Sequence, residues 1–319
     1  MINSNEISVI VQGKTDNYTK ECLKSVRKYL PEAEIVLSTW DGDELLDIDS
    51  LYNILVLNKD PKAVKMDVDK KYDYNLNRQL LSSKTGIDKA TRPYILRMRS
   101  DSCLSSNRFL KYWDKFPERN DKYSLFKHRV ITSSLYTITA ETGTNNEKCK
   151  NHPTPYHVSD WWHFGLKEDV RLLFSCPLVD LEEFARYIKE PHYNIEWLNH
   201  RMWRFPPEQY LGVELAKKKF PDLSFDNCLD YKNIDMEQSI RFIVDNFITM
   251  DYKQSGIFVQ KPEYKRMCEK FWKIPPHVFF TLFSFEAYKN FYKNIYFNKK
   301  IPKLSLRTFY YKFKNRRTL

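Results

Sequence analysis

The residues best suited to chemistry in this 319-residue chain stand together as Arg99-Ser100-Asp101, at the end of an apolar-rich run that starts at Tyr94 behind Pro93. Such a run reads as a buried strand whose C-terminal tip turns polar, and that tip is where open α/β sheets hold ligands. A carboxylate there, with Arg97 and Arg99 just before it, can hold a divalent metal and a nucleotide diphosphate together. Hard cations take carboxylate oxygens, and guanidinium forks take phosphate oxygens. The same acid can instead cap the next helix. Further groups belong to the same edge if the sheet is parallel: Gln12-Gly13 offers backbone donors, Thr39-Trp40 a stacking face, and Asn77-Arg78-Gln79 amides and another cation. Taken singly, Trp40 reads equally as rim packing and Arg78 as part of a solvated helix face.

Stepping the pattern outward from that tip gives the elements that must position it. Residues 7–11 are a β-branched run, 34–40 a second strand ending in the turn Trp40-Asp41-Gly42-Asp43, and 52–57 a third, closed before Pro61. Helical periodicity covers about 18–29, with Leu23, Val26 and Leu30 on one face, and 75–89. Strands separated by helical or long connections describe an α/β fold with a doubly wound, mostly parallel sheet. Beyond Asp101 the spacing predicts a helix over 107–116, a strand over 124–132, a long irregular loop over 137–156, and helices over 167–174, 206–218, 236–246, 262–272 and 278–297. The expected division is a catalytic domain over 1–230, with a donor-binding half to about 110 and an acceptor half over 111–230, followed by a helical region over 231–319.

With 42% hydrophobic and 15% aromatic residues the chain can bury a core, and only seven glycines argue against a repetitive β architecture. No apolar run approaches the roughly 18–20 residues that span a bilayer, and the first residues lack a signal-peptide pattern, so a cytoplasmic protein is expected. Six scattered cysteines suggest neither a disulfide framework nor a zinc site. The net charge of +11 is concentrated: ten cations from Lys289 to Arg317 face no acid. Interleaved with Phe291, Tyr292, Tyr296, Phe297, Phe309, Tyr310, Tyr311 and Phe313, they suit an anionic membrane surface. Such charge also suits a nucleic acid, but no nucleic-acid motif accompanies it, so no nucleic-acid partner is expected. A solvated helix is the plain alternative.

The segments 7–13, 22–27, 34–40, 55–58, 75–86, 96–101, 157–165 and 207–210, taken in order, resemble the WavE family of lipopolysaccharide-synthesis proteins. The resemblance implies a GT-A-like, Rossmann-like catalytic domain and a nucleotide-sugar-dependent glycosyltransferase. It sets Arg99-Ser100-Asp101 where an Asp-x-Asp signature is usual, so the first acid is missing and Asp101 corresponds to the metal-facing second one. Mn2+ or Mg2+ is the implied cofactor. A nucleotide sugar and an oligosaccharide or lipid-linked glycan are the implied partners, at the inner face of a bacterial inner membrane.

Such a reaction must stabilise charge growing on the leaving phosphate, which a metal on Asp101 or the guanidinium groups of Arg78 and Arg99 can do. If configuration inverts, a carboxylate must take the acceptor proton. Glu208 and Asp160 are the two candidates, and each also reads as a residue favoured at a helix start. Trp161, Trp162 and His163 are candidates for the acceptor, since aromatic faces suit sugar rings, although paired tryptophans are also ordinary core. Among His152, His157, His163 and His200 no metal-binding spacing recurs, and His157 or His163 would be the third group beside Asp101. A nucleotidyltransferase is the alternative enzyme, disfavoured because Gln12-Gly13-Lys14-Thr15 is too poor in glycine for its phosphate loop. A non-catalytic basic adaptor is the alternative outside enzymes.

Overall fold

In the computed structural model, residues 2–45, 47–65, 73–141, 152–188, 203–262 and 280–299 are described. The first half runs β1 (Ile7–Gln12), α1 (Thr19–Tyr29), β2 (Glu34–Trp40), β3 (Ile54–Asn58), the two-residue β4 (Val64–Lys65) and β5 (Asp73–Tyr74), α2 (Leu76–Lys89) and β6 (Tyr94–Arg99). There follow β7 (Ser102–Leu104), β8 (Val130–Ser133), β9 (Ile138–Glu141), β10 (His152–His157), β11 (Trp162–Leu166), α3 (Lys167–Leu173) and α4 (Leu181–Ala185). The last group is α5 (Pro207–Lys219), α6 (Met236–Asn246), β12 (Phe247–Met250), α7 (Tyr252–Ser255), β13 (Ile257–Val259), β14 (Phe280–Leu282) and α8 (Phe285–Phe297).

Seven strands form the central sheet in the order β12-β8-β11-β6-β1-β2-β3. Every pairing is parallel except the two made by β11, so the expected α/β, mostly parallel sheet flanked by helices is observed. β1 is buried along its whole length, as a central parallel strand covered on both faces must be. α2 lies unusually close to it. Gly86 permits this, because a Cβ there would come within 2.5 Å of Ile10 Cγ2.

Where the structure departs from the sequence pattern, side chains have captured backbone donors. The strand expected over 124–132 begins only at Val130. Before it, Leu125 and Phe126 donate to Asn246 Oδ1 at 2.6 and 3.0 Å, and Lys127 and His128 to the Asp169 carboxylate at 2.8 and 2.9 Å. A short 3-10 turn, Arg108–Tyr112, replaces the helix expected over 107–116. The loop expected over 137–156 contains β9 and β10, which pair with each other, with β14 on the far side of β9. The helix expected from residue 278 starts at Phe285, capped by Ser284, whose hydroxyl accepts from the Ala287 amide at 3.2 Å.

Past residue 230 two described strands join the strands that precede them. β12 adds to the central sheet beside β8, and β13 pairs with β7. Phe247, Ile248, Thr249 and Met250 are all buried, which a β-branched and apolar run in a covered edge strand requires. No helix among the described residues is long and apolar enough to cross a membrane. The helix expected over 262–272 beyond its first residue, His200 and the chain from residue 300 lie outside the described residues.

Candidate functional site

The parallel strands end along one edge, which carries Gln12, Trp40, Asn58 and Arg99 at neighbouring register positions. Because β11 is antiparallel and sets Trp162 opposite Met98, the Asp160–Trp161 segment that leads into it starts at the same edge. Polar side chains on α2 brace this edge from behind. Ser82 donates to Gln12 Oε1 at 2.6 Å, and Thr85 donates to Asn58 Oδ1 at 2.7 Å. Gly13 has φ +113°, and a Cβ there would stand 3.3 Å from Ser100 Oγ, which donates to the Lys14 carbonyl at 2.7 Å. The turn after β1 is thereby tied to the tip of β6.

The tip of β6 is a charged cluster. Asp101 is 4% exposed, and Arg99 grips it with both teeth of its fork, Nε to Oδ1 at 2.9 Å and Nη2 to Oδ2 at 2.7 Å. Lys261 adds its ammonium to Oδ2 at 3.1 Å. Burial pushes the Asp101 carboxyl upward, but the cations Arg99 and Lys261 outweigh it and hold the group below the ordinary carboxylate value. The Arg99 guanidinium also lies over Trp161, 5.1 Å from the ring centroid, and Tyr136 packs on the same indole at 5.6 Å between ring centroids. The cluster therefore carries two positive charges against one negative, on an aromatic floor.

Lys261 is brought there by register. β13 pairs with β7 so that Val259 stands opposite Ser102, and the ladder continues with the Gln260 amide donating to the Asp101 carbonyl at 2.9 Å. Gln260 Nε2 donates to the carbonyls of Tyr18 and Ser102 at 2.9 and 3.3 Å. The clamp leaves the next residue beside the carboxylate. Nothing in the spacing of the sequence pointed to Lys261, 160 positions from Asp101.

The set does not fit a divalent metal as sequence suggested. Asp101 spends both oxygens on nitrogen donors, and a hard cation needs those oxygens turned to itself. His157, expected as a metal ligand beside Asp101, is 3% exposed and directs Nδ1 to the Tyr136 carbonyl at 2.9 Å. Among the described residues no three of His, Cys, Asp or Glu come together as a metal's ligands.

Other expected donor-side residues are committed to the scaffold. Asn77 exchanges both amide groups with the backbone of Val179, at 2.8 and 3.0 Å. Trp40 is 6% exposed, a packed rim residue and not an open stacking face. Thr39 donates to Asp43 Oδ2 at 2.5 Å, and Asp43 also accepts from the Thr15 amide at 3.0 Å. Arg78 does reach the edge, in a bidentate pair with Asp60 at 2.7 and 2.6 Å. Asp60 and Asp43 are edge acids that sequence reasoning passed over. Each follows a strand by two or three residues in a turn, where acids are ordinary turn formers.

On the acceptor side Trp162 and His163 are corrected to core residues. Trp162 packs against Phe109 at 6.3 Å between ring centroids, and His163 is fully buried with Nε2 on the Ser159 carbonyl at 2.8 Å. Chain position separates them: Trp161, also buried, precedes the strand and lies under Arg99 at the tip, while Trp162 and His163 are within β11. Asp160 is 3% exposed, with its carbonyl accepting from Arg97. Arg97 is itself completely buried, and burial lowers its pKa to about 9 despite the Asp160 charge. Asp160 Oδ1, Arg97 Nη2 and His163 Nδ1 have no hydrogen-bond partner among the described residues. Glu208 differs: it is half-buried in the first turn of α5, and its carbonyl accepts from the Val158 amide at 3.4 Å, two residues before Asp160.

No curated protein matches this chain. Among solved structures, the crystal structure of S. aureus TarS is similar at 15% identity with a TM-score of 0.33. That likeness covers 66% of this chain and 33% of TarS, so the chain spans about a third of that protein's length. A family model described as WavE lipopolysaccharide synthesis matches residues 7–319, so the span includes β13 and Lys261 as well as the strand tips. With essentially its whole length matched, this chain belongs to the WavE lipopolysaccharide synthesis family.

Proposed function

We propose that the protein is a glycosyltransferase that moves a sugar from a nucleotide-sugar donor to a lipopolysaccharide, capsule or other bacterial surface glycan. The observation that carries this reading is the Arg99–Asp101–Lys261 cluster on Trp161, standing at the C-terminal edge of a parallel sheet in a chain of this family. Ligands of open α/β sheets bind at that edge. A leaving nucleoside phosphate gains negative charge as its bond to the sugar breaks, and fixed cations there lower the barrier. Arg78, held by Asp60, supplies a further positive group.

For the acceptor proton, Glu208 is the better of the two carboxylates. It is half-exposed at the start of α5, whereas Asp160 is 3% exposed and interacts with the buried Arg97 guanidinium. Trp161, 4% exposed and covered by Arg99 and Tyr136, serves as the floor of the cluster and not as an open face for a sugar ring. The acceptor would be a lipid-linked or oligosaccharide chain, met at the inner membrane surface through the basic C-terminal residues.

Isothermal titration calorimetry with UDP, GDP and CMP tests the reading. At least one should bind in the micromolar range, and Arg99→Ala should weaken it by about tenfold or more, the loss of charge-assisted hydrogen bonds. Glu208→Gln should keep that affinity and lose turnover. A protein that binds none of the three nucleotides would leave a non-catalytic adaptor as the better description.

A further inference from the structure

The donor set at the tip of β6 points to a metal-free site. Resting on the transferase reading above, we infer that Lys261 takes the place of a divalent cation: its ammonium and the Arg99 guanidinium receive the leaving phosphate directly, and Asp101 aims both. Asp101 is nearly sealed, and its two oxygens already accept from three nitrogens of Arg99 and Lys261. A cation arriving there would have to displace both side chains from a carboxylate held in its ionised form. Lys261, by contrast, is suited to receive an anion. Its side chain is 37% exposed, one of its three N–H donors meets Asp101, and the β7–β13 ladder with the Gln260 clamp fixes its backbone.

The electron count is that of any glycosyl transfer. The bond between the anomeric carbon and the phosphate oxygen breaks, and its electron pair stays on that oxygen. A bond forms from the acceptor oxygen to the anomeric carbon, and the acceptor proton passes to a carboxylate, with no redox partner required. The negative charge left on the phosphate is met by Lys261 and Arg99. One ammonium and one guanidinium supply two positive charges, the formal charge of the magnesium or manganese ion they replace.

The experiment is titration of the full chain with UDP, GDP and CMP, in EDTA and in excess Mn2+, for wild type, Lys261→Ala, Lys261→Arg and the remote control Lys232→Ala. Wild type should bind its nucleotide as tightly in EDTA as in Mn2+. Lys261→Ala should lose about ten- to a hundredfold in affinity, with Lys261→Arg restoring most of it and Lys232→Ala unchanged. Circular dichroism melting of each variant shows that the loss is not unfolding. Lys261→Ala binding as tightly as wild type overturns the inference, as does nucleotide binding that appears only with Mn2+, although the transferase reading then stands. Failure to bind any nucleotide under either condition overturns both.

Discussion

Asp101 carries one charge between two cations, and its value to the protein lies in aiming them. Asp101→Asn keeps the shape but gives Arg99 and Lys261 a neutral partner, so nucleotide affinity should fall by about tenfold, and the fold should lose about 2 kcal/mol, measured by urea unfolding. The pH dependence has a definite sign. A carboxyl held below its ordinary value contributes stability that is complete above that value, 3.8, and is lost as pH falls through the lower folded value. The cluster should therefore persist in mild acid. His163 behaves in the opposite part of the scale. Burial first, and the Arg97 charge second, hold its imidazole well below the ordinary 6.5, so the folded protein keeps it neutral while the unfolded chain protonates. Stability should fall as pH drops below 6.5, by up to about 1.4 kcal/mol per pH unit. His128 is shifted the same way and adds to the slope. His163→Gln should flatten the fall in thermal midpoint between pH 6.5 and 5, leaving the smaller part due to His128; an unchanged slope would assign the acid sensitivity elsewhere.

At the scale of elements, two contacts decide whether the site's supports can stay where they are. α5 packs so closely on β10 that a Cβ on Gly212 would stand 1.7 Å from the Tyr156 carbonyl oxygen. Backbone cannot yield as a flexible side chain does, so Gly212→Ala should cost about 3 kcal/mol and lower the thermal midpoint by on the order of 5–10 °C. Glu208 would move with the helix. α8 is held through tyrosines against a buried ion pair, Arg129 to Asp245 at 3.2 Å with both side chains almost inaccessible. Tyr296 donates to Asp245, the Arg129 guanidinium lies 5.4 Å from the Tyr292 ring centroid, and Tyr288 packs beside them. Tyr296→Phe removes a donor from a buried carboxylate and should cost about 1–2 kcal/mol. Faster amide exchange in α8, with the central strands unaffected, is the expected signature by mass spectrometry.

The whole molecule separates a nearly neutral body from a basic end. Seven of the ten cations after Ala287 fall within residues 300–319, together with Phe309, Tyr310, Tyr311 and Phe313. Each basic residue near an anionic bilayer is worth about 1 kcal/mol, screened as salt rises. Removing residues 300–319 should therefore release the protein from vesicles containing anionic lipid in a flotation assay, while nucleotide binding is kept. Equal flotation of the shortened chain would exclude that segment as the membrane contact. Because α8 docks on Asp245 beside β12, the same packing that completes the sheet also holds the helix that precedes residue 300.

Sequence by itself determined the elements whose patterns are periodic and local. β1, β2, β6, α1, α2 and α5 begin and end within a residue or two of where alternation, helical spacing, Pro31, Pro93 and Pro207 place them, and the Arg99-Ser100-Asp101 tip was legible as a strand end from its own residues. Fold class follows from that order of elements. What only the tertiary structure decided is partnership. Arg78 pairs with Asp60, Trp161 and Trp162 fall to different surroundings although adjacent, and β12 and β13 return from the far end of the chain to the sheet. The partner of Asp101 turned on this. Whether a carboxylate faces a metal or a lysine depends on what a strand 160 residues away sets beside it, and local spacing carries no record of a contact made across the fold.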